Sequence, residues 1–138
     1  MHNPIVIIAL AGVAAFVFGA AYYMTLGKVW QRALGLNPDD CKDKKPPLTP
    51  MAICILAEWV MAAVMYQTLT HLSGSQQMVG MGALEGAIAG AVLGLGFMAT
   101  STFVNNAFPG RKVALSVIDS IHWIAVAAIE GAVIGALA

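Results

Sequence analysis

Charged residues are scarce in this chain. Only 10% of its 138 residues are Asp, Glu, Lys or Arg, whereas 59% are hydrophobic, and soluble domains carry about 25% charged residues. The chain therefore lacks the polar surface that a soluble domain needs, and its length allows one compact domain. The formal net charge is zero, so the overall balance says nothing about partners.

Cysteine and catalytic motifs are scarce as well. Cys41 and Cys54 form no CxxC pair, and their setting does not favour a disulfide. The sequence has no Walker loop, no dinucleotide-binding fingerprint and no serine in a nucleophile elbow. The short run Lys42–Lys45 is mixed with acidic residues, which is not typical of a nucleic-acid patch. We therefore predict no catalytic residue, no cofactor, no metal site and no nucleic-acid partner.

Long apolar segments are what the sequence does contain. Four of them reach the length of about 20 residues that a membrane-spanning helix needs, at about residues 4–26, 50–72, 78–103 and 113–137. The first has no basic residues before it and exceeds the apolar core of a signal peptide, so we interpret it as a retained span. The predicted fold class is an all-α integral membrane protein, a four-transmembrane-helix bundle that forms a single membrane domain over residues 1–138.

The basic residues indicate the orientation. They fall only in or beside the connections 27–49 and 104–112, while the connection Ser73–Gln77 and both chain ends have none. Lys and Arg in short loops stay in the cytoplasm, so the pattern predicts that both ends lie outside, N-out and C-out. Aromatic residues are enriched at membrane interfaces. The residues expected to anchor the inner interface are Tyr22, Tyr23 and Trp30.

The first charged connection has a predicted structure of its own. Val29–Leu36 is expected to form one or two helical turns that lie in the interface. Asn37–Asp40 is expected to form a turn, because Asn before Pro favours turn initiation.

Small residues mark two helix faces. In the third span glycine recurs every four residues, which places the glycines on one face, and the fourth span has a shorter series. Such faces pack helices within one bundle or join two copies, and the sequence leaves both open. We expect the third span to be the most buried helix. The glycines of the two faces are Gly82, Gly86, Gly90, Gly94, Gly131 and Gly135.

Four acidic residues and His122 fall well inside the predicted spans, where such groups are costly and usually face the bundle interior or a wet cavity. From their depth along the helices we predict an inner layer of Glu58, Asp119 and His122 and an outer layer of Glu85 and Glu130. Asp119 and His122 share a helix face, so a charge-assisted hydrogen bond between them is expected.

The chemistry of these layers stays open between two interpretations. They are either a polar track for protons, a cation or a small ligand, or protonated acids that bond to backbone and hydroxyl groups between helices. A metal site is the weakest alternative, because the spacing resembles no known ligand pair.

Phe18-Gly19-Ala20-Ala21-Tyr22-Tyr23 is followed by Gly-Lys-x-Trp at 27–30 and Ala-Leu-Gly-Leu at 33–36. This series resembles the signature of bacterial membrane proteins called domain of unknown function 1761. The segments 94–97 and 117–119, with His122, also look like that family. Tyr22, where the family pattern has Trp, and Thr25, where it often has a turn former, are departures. The resemblance implies a four-helix membrane protein and brings no activity with it.

The functional hypothesis is therefore a small multi-pass protein of the bacterial inner membrane. Its expected partners are the lipid bilayer and either a second copy or a larger membrane complex, in which it acts as an accessory subunit. The alternative is a transporter or channel component that moves protons, a cation or a small solute past the buried acids.

Overall fold

The computed structural model describes residues 3–42, 47–74 and 81–138. Over these residues the chain forms four long helices and no strand. They are α1 (Pro4–Ala33), α2 (Leu48–Gly74), α3 (Ala83–Ala107) and α4 (Val113–Leu137). Each contains a stretch that is long and apolar enough to cross a membrane. The predicted four-helix membrane fold is confirmed.

Parts of three predicted features lie outside the described residues. They are the connection Ser73–Gln77 from residue 75 onward, the expected start of the third span at residues 78–80, and the end of the run Lys42–Lys45.

Local chemistry explains where α1 begins and ends. The Asn3 side chain accepts a hydrogen bond from the backbone N–H of Ile5 at 2.9 Å, and Pro4 occupies the first turn. The helix continues to Ala33, so most of the segment expected to form separate interfacial turns belongs to α1 itself. Gly35 then adopts a positive φ of 84°, which glycine tolerates and which turns the chain away from the helix axis.

The predicted turn after α1 is confirmed. Asn37 caps a short 3₁₀ helix at Pro38–Cys41, and its side chain accepts a hydrogen bond from the N–H of Asp39 at 3.2 Å.

The third helix is not regular throughout. It is an α-helix over Ala83–Leu93, a π-helix over Gly94–Ala99 and an α-helix again over Thr100–Ala107. A π segment changes the backbone hydrogen-bond pattern. Hydroxyl groups on the next turn donate to its carbonyls, at 2.6–2.8 Å, from Thr100 to Gly96, Ser101 to Phe97 and Thr102 to Met98.

The fourth helix lies at the centre of the bundle. It packs against α1, α2 and α3, whereas α2 and α3 meet over few residues and α1 and α3 do not pack against each other within the described parts. In its most apolar stretch 39% of the residues are buried, compared with 17% in that of α3. The prediction that the third span is the most buried was therefore wrong, because α3 buries one narrow face and α4 is covered on three sides.

The glycine face of α3 lies against α4. A Cβ atom added to Gly86 would collide with the backbone of Gly131, and one added to Gly90 would collide with that of Ala127. Gly135 faces the backbone of Gly82 in the same way. The two helices therefore approach closely along the seam formed by Gly82, Gly86, Gly90, Gly131 and Gly135, which we call the glycine seam.

The bundle has two chemically different ends. The terminal end, where α1 begins and α4 ends, has an apolar core that includes Ile7, Leu69 and Ile134. The loop end is where α1 ends and α4 begins, and there the Lys112 ammonium donates to the carbonyl of Arg32 at 3.1 Å.

Candidate functional site

Two aromatic side chains of α1 bind one carboxylate of α4. The Tyr23 hydroxyl donates to Asp119 Oδ1 at 2.8 Å, and the Trp30 indole N–H donates to the same oxygen at 3.0 Å. Tyr23 and Trp30 are seven residues apart, so they share one face of α1. The neighbouring Tyr22 hydroxyl donates to the carbonyl of Ile118 at 2.9 Å. These three bonds join α1 to α4 on the loop-end side of the bundle.

The predicted hydrogen bond between Asp119 and His122 was wrong. Neither ring nitrogen of His122 has a hydrogen-bond partner within the described structure. The two residues do share a face of α4, but donors from α1 occupy Asp119. The predicted interface anchors Tyr22, Tyr23 and Trp30 direct their polar atoms to α4, so these atoms bond to protein. Their placement at the inner interface stays a prediction.

His122 is enclosed by aromatic rings. Only 2% of its surface is exposed. Its ring centroid lies 4.8 Å from those of Tyr23 and Trp123, and 5.5 Å from that of Tyr22. Phe18 stacks at 6.1 Å with an interplanar angle of 15°. These contacts fix the imidazole in an apolar pocket.

Gly19 brings the histidine and a carboxylate to one place. A Cβ atom added to Gly19 would lie 2.8 Å from His122 Nε2 and 3.7 Å from Glu58 Oε1. Both polar atoms therefore face the same point on the backbone of α1. They come from different helices, α4 and α2, and the absence of a side chain at Gly19 provides the space between them.

Glu58 is fully buried in this cluster. Its Oε1 accepts a weak hydrogen bond from the Cys54 thiol at 3.6 Å, one helical turn earlier on α2. The only ion pair among the described residues joins Lys42 to Asp39, so no described cation pairs with Glu58. A buried carboxyl group without a cation is costly in a membrane unless it binds a proton or another ligand.

Glu85 and Glu130, which form the predicted outer layer, lie at a similar level of the bundle, because Gly86 and Gly131, which follow them, are in contact. Their surroundings differ. Glu85 is exposed, and its Oε2 accepts a hydrogen bond from the N–H of Gly82 at 3.1 Å. It lies in the first turn of α3, where a carboxylate caps the free backbone N–H groups. Glu130 is fully buried instead, and it lies within electrostatic range of Glu58. The structure thus associates Glu130 with the inner residue Glu58 and separates it in environment from Glu85.

The sequence also identifies the family to which the protein belongs. The family model described as Protein of unknown function (DUF1761) matches residues 6–135, nearly the whole chain. The chain belongs to this family. The resemblance predicted from sequence is confirmed, and no curated protein or solved structure gives a match. The segments 15–36 and 117–122, which carry the resemblance, supply Gly19, Tyr23 and His122 to the site of this DUF1761 protein.

The site holds several buried polar atoms without a hydrogen-bond partner among the described residues. Each such atom costs free energy, because water no longer solvates it and no protein group replaces the water. We call the set of side chains that carry these atoms the buried polar cluster. The atoms are Glu58 Oε2, His122 Nδ1 and Nε2, and Glu130 Oε1 and Oε2.

Sequence reasoning missed two contributors to the site. Cys54 precedes Glu58 by four residues, and this helical spacing is a signal that could have identified it. Gly19 carries no comparable local signal, because its role depends on how α1, α2 and α4 are rotated against each other. No three His, Cys, Asp or Glu side chains of the described segments are grouped closely enough to hold a metal ion.

Proposed function

We propose that this DUF1761 protein is a component of a bacterial cytoplasmic-membrane transporter or channel that moves protons or a small cation past buried carboxyl groups. The observation that carries this proposal is the buried polar cluster between α1, α2 and α4. Glu58 and Glu130 are both fully buried, and ionisable residues in a membrane interior usually mark an ion or substrate path.

The alternative explanation of these acids, that they hold helices together, has less support. Interhelical adhesion requires partner groups, and Asp119 has them in Tyr23 and Trp30. Glu130 and His122 have none among the described residues. We therefore assign adhesion to Asp119 and transport to the buried polar cluster.

A flux assay tests the proposal. The purified protein is placed in liposomes that enclose a pH-sensitive dye, and a pH gradient or membrane potential is applied. Separate samples follow the uptake of sodium, rubidium and methylammonium. We expect ion flux above that of empty liposomes, and Glu58→Gln should lower it by about tenfold or more, since it removes the titrating group.

Glu85→Gln provides the matched control. Glu85 is exposed and caps α3, and a Gln side chain can accept the same hydrogen bond, so this variant should keep the parental flux. A parent protein that carries none of these ions above the background of empty liposomes would contradict the proposal.

A second candidate is an accessory subunit that packs against itself or a larger membrane complex. The glycine face that first suggested this role is occupied by α4. The supporting feature is now an open groove of about 210 Å³ where α2 and α3 barely meet, lined by Met61, Met98, Thr102 and Trp123. Native mass measurement in mild detergent tests it, and a persistent monomer without a co-purifying protein would argue against it.

A further inference from the structure

We propose that the ion handled at the buried polar cluster is the proton, and that His122 exchanges it with Glu58 above Gly19. This inference rests on the proposed transport function and names its substrate. The observation behind it is the convergence of His122 Nε2 and Glu58 Oε1 on one point of the α1 backbone.

The donor set suits a proton better than a metal cation. A bare alkali or alkaline-earth cation needs several oxygen ligands to replace its water shell. The point above Gly19 offers one carboxylate oxygen and one imidazole nitrogen, and imidazole is a ligand for transition metals more than for these cations. A proton needs a single acceptor at a time, which either group supplies.

Both nitrogens of His122 are buried and without a hydrogen-bond partner within the described structure. A neutral imidazole has one protonated and one free nitrogen, so it can accept a proton at one side and release one from the other. The aromatic rings around His122 hold it in place without using either nitrogen. The ring is therefore fixed while both nitrogens stay available for proton exchange.

The exchange conserves protons and charge. Because no direct hydrogen bond joins the two groups in the described structure, the transfer runs through one water molecule between them. The O–H bond of the protonated Glu58 carboxyl group breaks as its proton passes to this water, and the water passes one of its own protons to the free ring nitrogen, which gives a carboxylate and an imidazolium. The imidazolium then releases the proton from its other nitrogen to water, and the ring is neutral again in the other tautomer. A new proton on Glu58 and a return of the ring to the first tautomer complete the cycle.

Other titratable groups surround the pair and set its charge environment. The Tyr23 phenol donates to the Asp119 carboxylate, and the Tyr22 phenol donates to the carbonyl of Ile118. The groups on the three packed helices are Tyr22 and Tyr23 of α1, Cys54 and Glu58 of α2, and Asp119 and Glu130 of α4.

Two glycines of α1 allow a matched test. In Gly19→Ala the new methyl group would lie 2.8 Å from His122 Nε2 and 3.7 Å from Glu58 Oε1, so the imidazole must shift away from α1 and the space between the two groups is filled. In Gly27→Ala the methyl group would meet nothing within 4 Å. Both variants make the same chemical change on the same helix, and only the first disturbs the relay.

The experiment measures proton flux and sodium, rubidium and methylammonium uptake in parallel liposome samples. We expect the parent to carry protons only, and Gly19→Ala and His122→Gln to lower proton flux by about tenfold or more. Gly27→Ala should stay within about twofold of the parent, because it leaves the relay intact.

The outcomes separate this inference from the function on which it rests. Absence of all ion flux overturns the transport proposal itself. Sodium, rubidium or methylammonium uptake that depends on Glu58 but persists in His122→Gln leaves transport standing and overturns the relay. Proton flux that is equal in Gly19→Ala and Gly27→Ala also overturns the relay.

A spectroscopic measurement covers the case in which Gly19→Ala fails to fold. In a protein with the substitutions His2→Gln and His71→Gln, His122 is the one histidine left. Nitrogen NMR of this protein reports the protonation of His122 directly. We expect the His122 nitrogen shifts to change with pH in the parent and to change at a different pH in Glu58→Gln. A His122 signal that is the same in both proteins at every pH would overturn the inference.

Discussion

At the scale of single residues, Glu85 and Glu130 show how position determines the role of a side chain. Each is followed by Gly and Ala in the sequence. Glu85 lies in the first turn of α3 and caps it, while Glu130 lies far inside α4 and is fully buried. The same local pattern therefore gives a surface cap in one helix and a buried acid in the other.

Removal of one of the two side-chain hydrogen bonds to Asp119 should weaken the contact between α1 and α4. Tyr23→Phe deletes the hydroxyl that donates at 2.8 Å, and we expect a loss of about 1 kcal/mol in the free energy of unfolding. Denaturation in mixed detergent micelles measures it. Tyr66→Phe is the control, because Tyr66 is half-buried and packs against the apolar core, and its hydroxyl makes no hydrogen bond to another described residue. Equal stability of the two variants would contradict the assignment.

The buried carboxyl group of Glu130 should lower the free energy of unfolding. Its carboxyl oxygens are buried without partners, so Glu130→Met should raise the free energy of unfolding by about 1 kcal/mol, since an apolar side chain needs no partner there. The same denaturation assay measures the effect. Glu85→Met, which removes a helix cap, should lower stability slightly, and a destabilised Glu130→Met would show that the carboxyl group has a structural partner.

The types of residue at the site could be predicted from sequence, but their partners could not. Glu58, Asp119 and His122 stand out because ionisable residues are rare in apolar helices. Helical spacing places Asp119 near His122 along one helix, yet it carries no information on the aromatic donors that another helix presents. Cys54 lies one turn from Glu58 and could have been found, whereas Gly19 could not.

At the scale of the helices, α3 combines a close-packed part with an irregular part. Its first half forms the glycine seam with α4, and its second half contains the π segment Gly94–Ala99. Gly94, the first residue of the π segment, still lies close to α4, because an added Cβ atom would lie 2.9 Å from the Cα of Ile124. The hydroxyl groups of the following turn occupy carbonyls of the π segment, as membrane helices require.

Substitutions in α3 and α4 should distinguish the glycine seam from the rest of the surface. Gly131→Ala places a methyl group against the Gly86 backbone, which cannot move aside cheaply, so we expect a loss of about 2 kcal/mol in the free energy of unfolding. Gly96→Ala meets nothing within 4 Å and should be neutral or slightly stabilising. Thermal unfolding followed by circular dichroism measures both, and a neutral Gly131→Ala would argue against close approach of the two helices.

At the scale of the whole molecule, the existence of four spans follows from composition and length alone. The arrangement of the spans does not. Regular glycines made the third span look central, but burial depends on the number of neighbouring helices, and α4 has three. Contacts between helices distant in sequence, such as Tyr23 with Asp119, set that arrangement, and hydropathy contains no information on them.

The proposed orientation can be tested with a native cysteine. Cys41 is partly exposed in the first charged connection, which positive residues should keep in the cytoplasm. With Cys54→Ser as background, a membrane-impermeant maleimide should label Cys41 in inverted membrane vesicles and leave it unlabelled in intact cells. Labelling in intact cells would reverse the orientation.

The central position of α4 has a consequence for how the protein is made. During synthesis α1, α2 and α3 enter the membrane before α4, and α3 has almost no contact with the first two. The glycine-rich face of α3 therefore stays against lipid, and His122 is not yet beside Glu58, until the ribosome has delivered α4. A newly made chain interrupted before residue 113 would thus expose both features to quality-control proteases, and the bundle would assemble in a single late step.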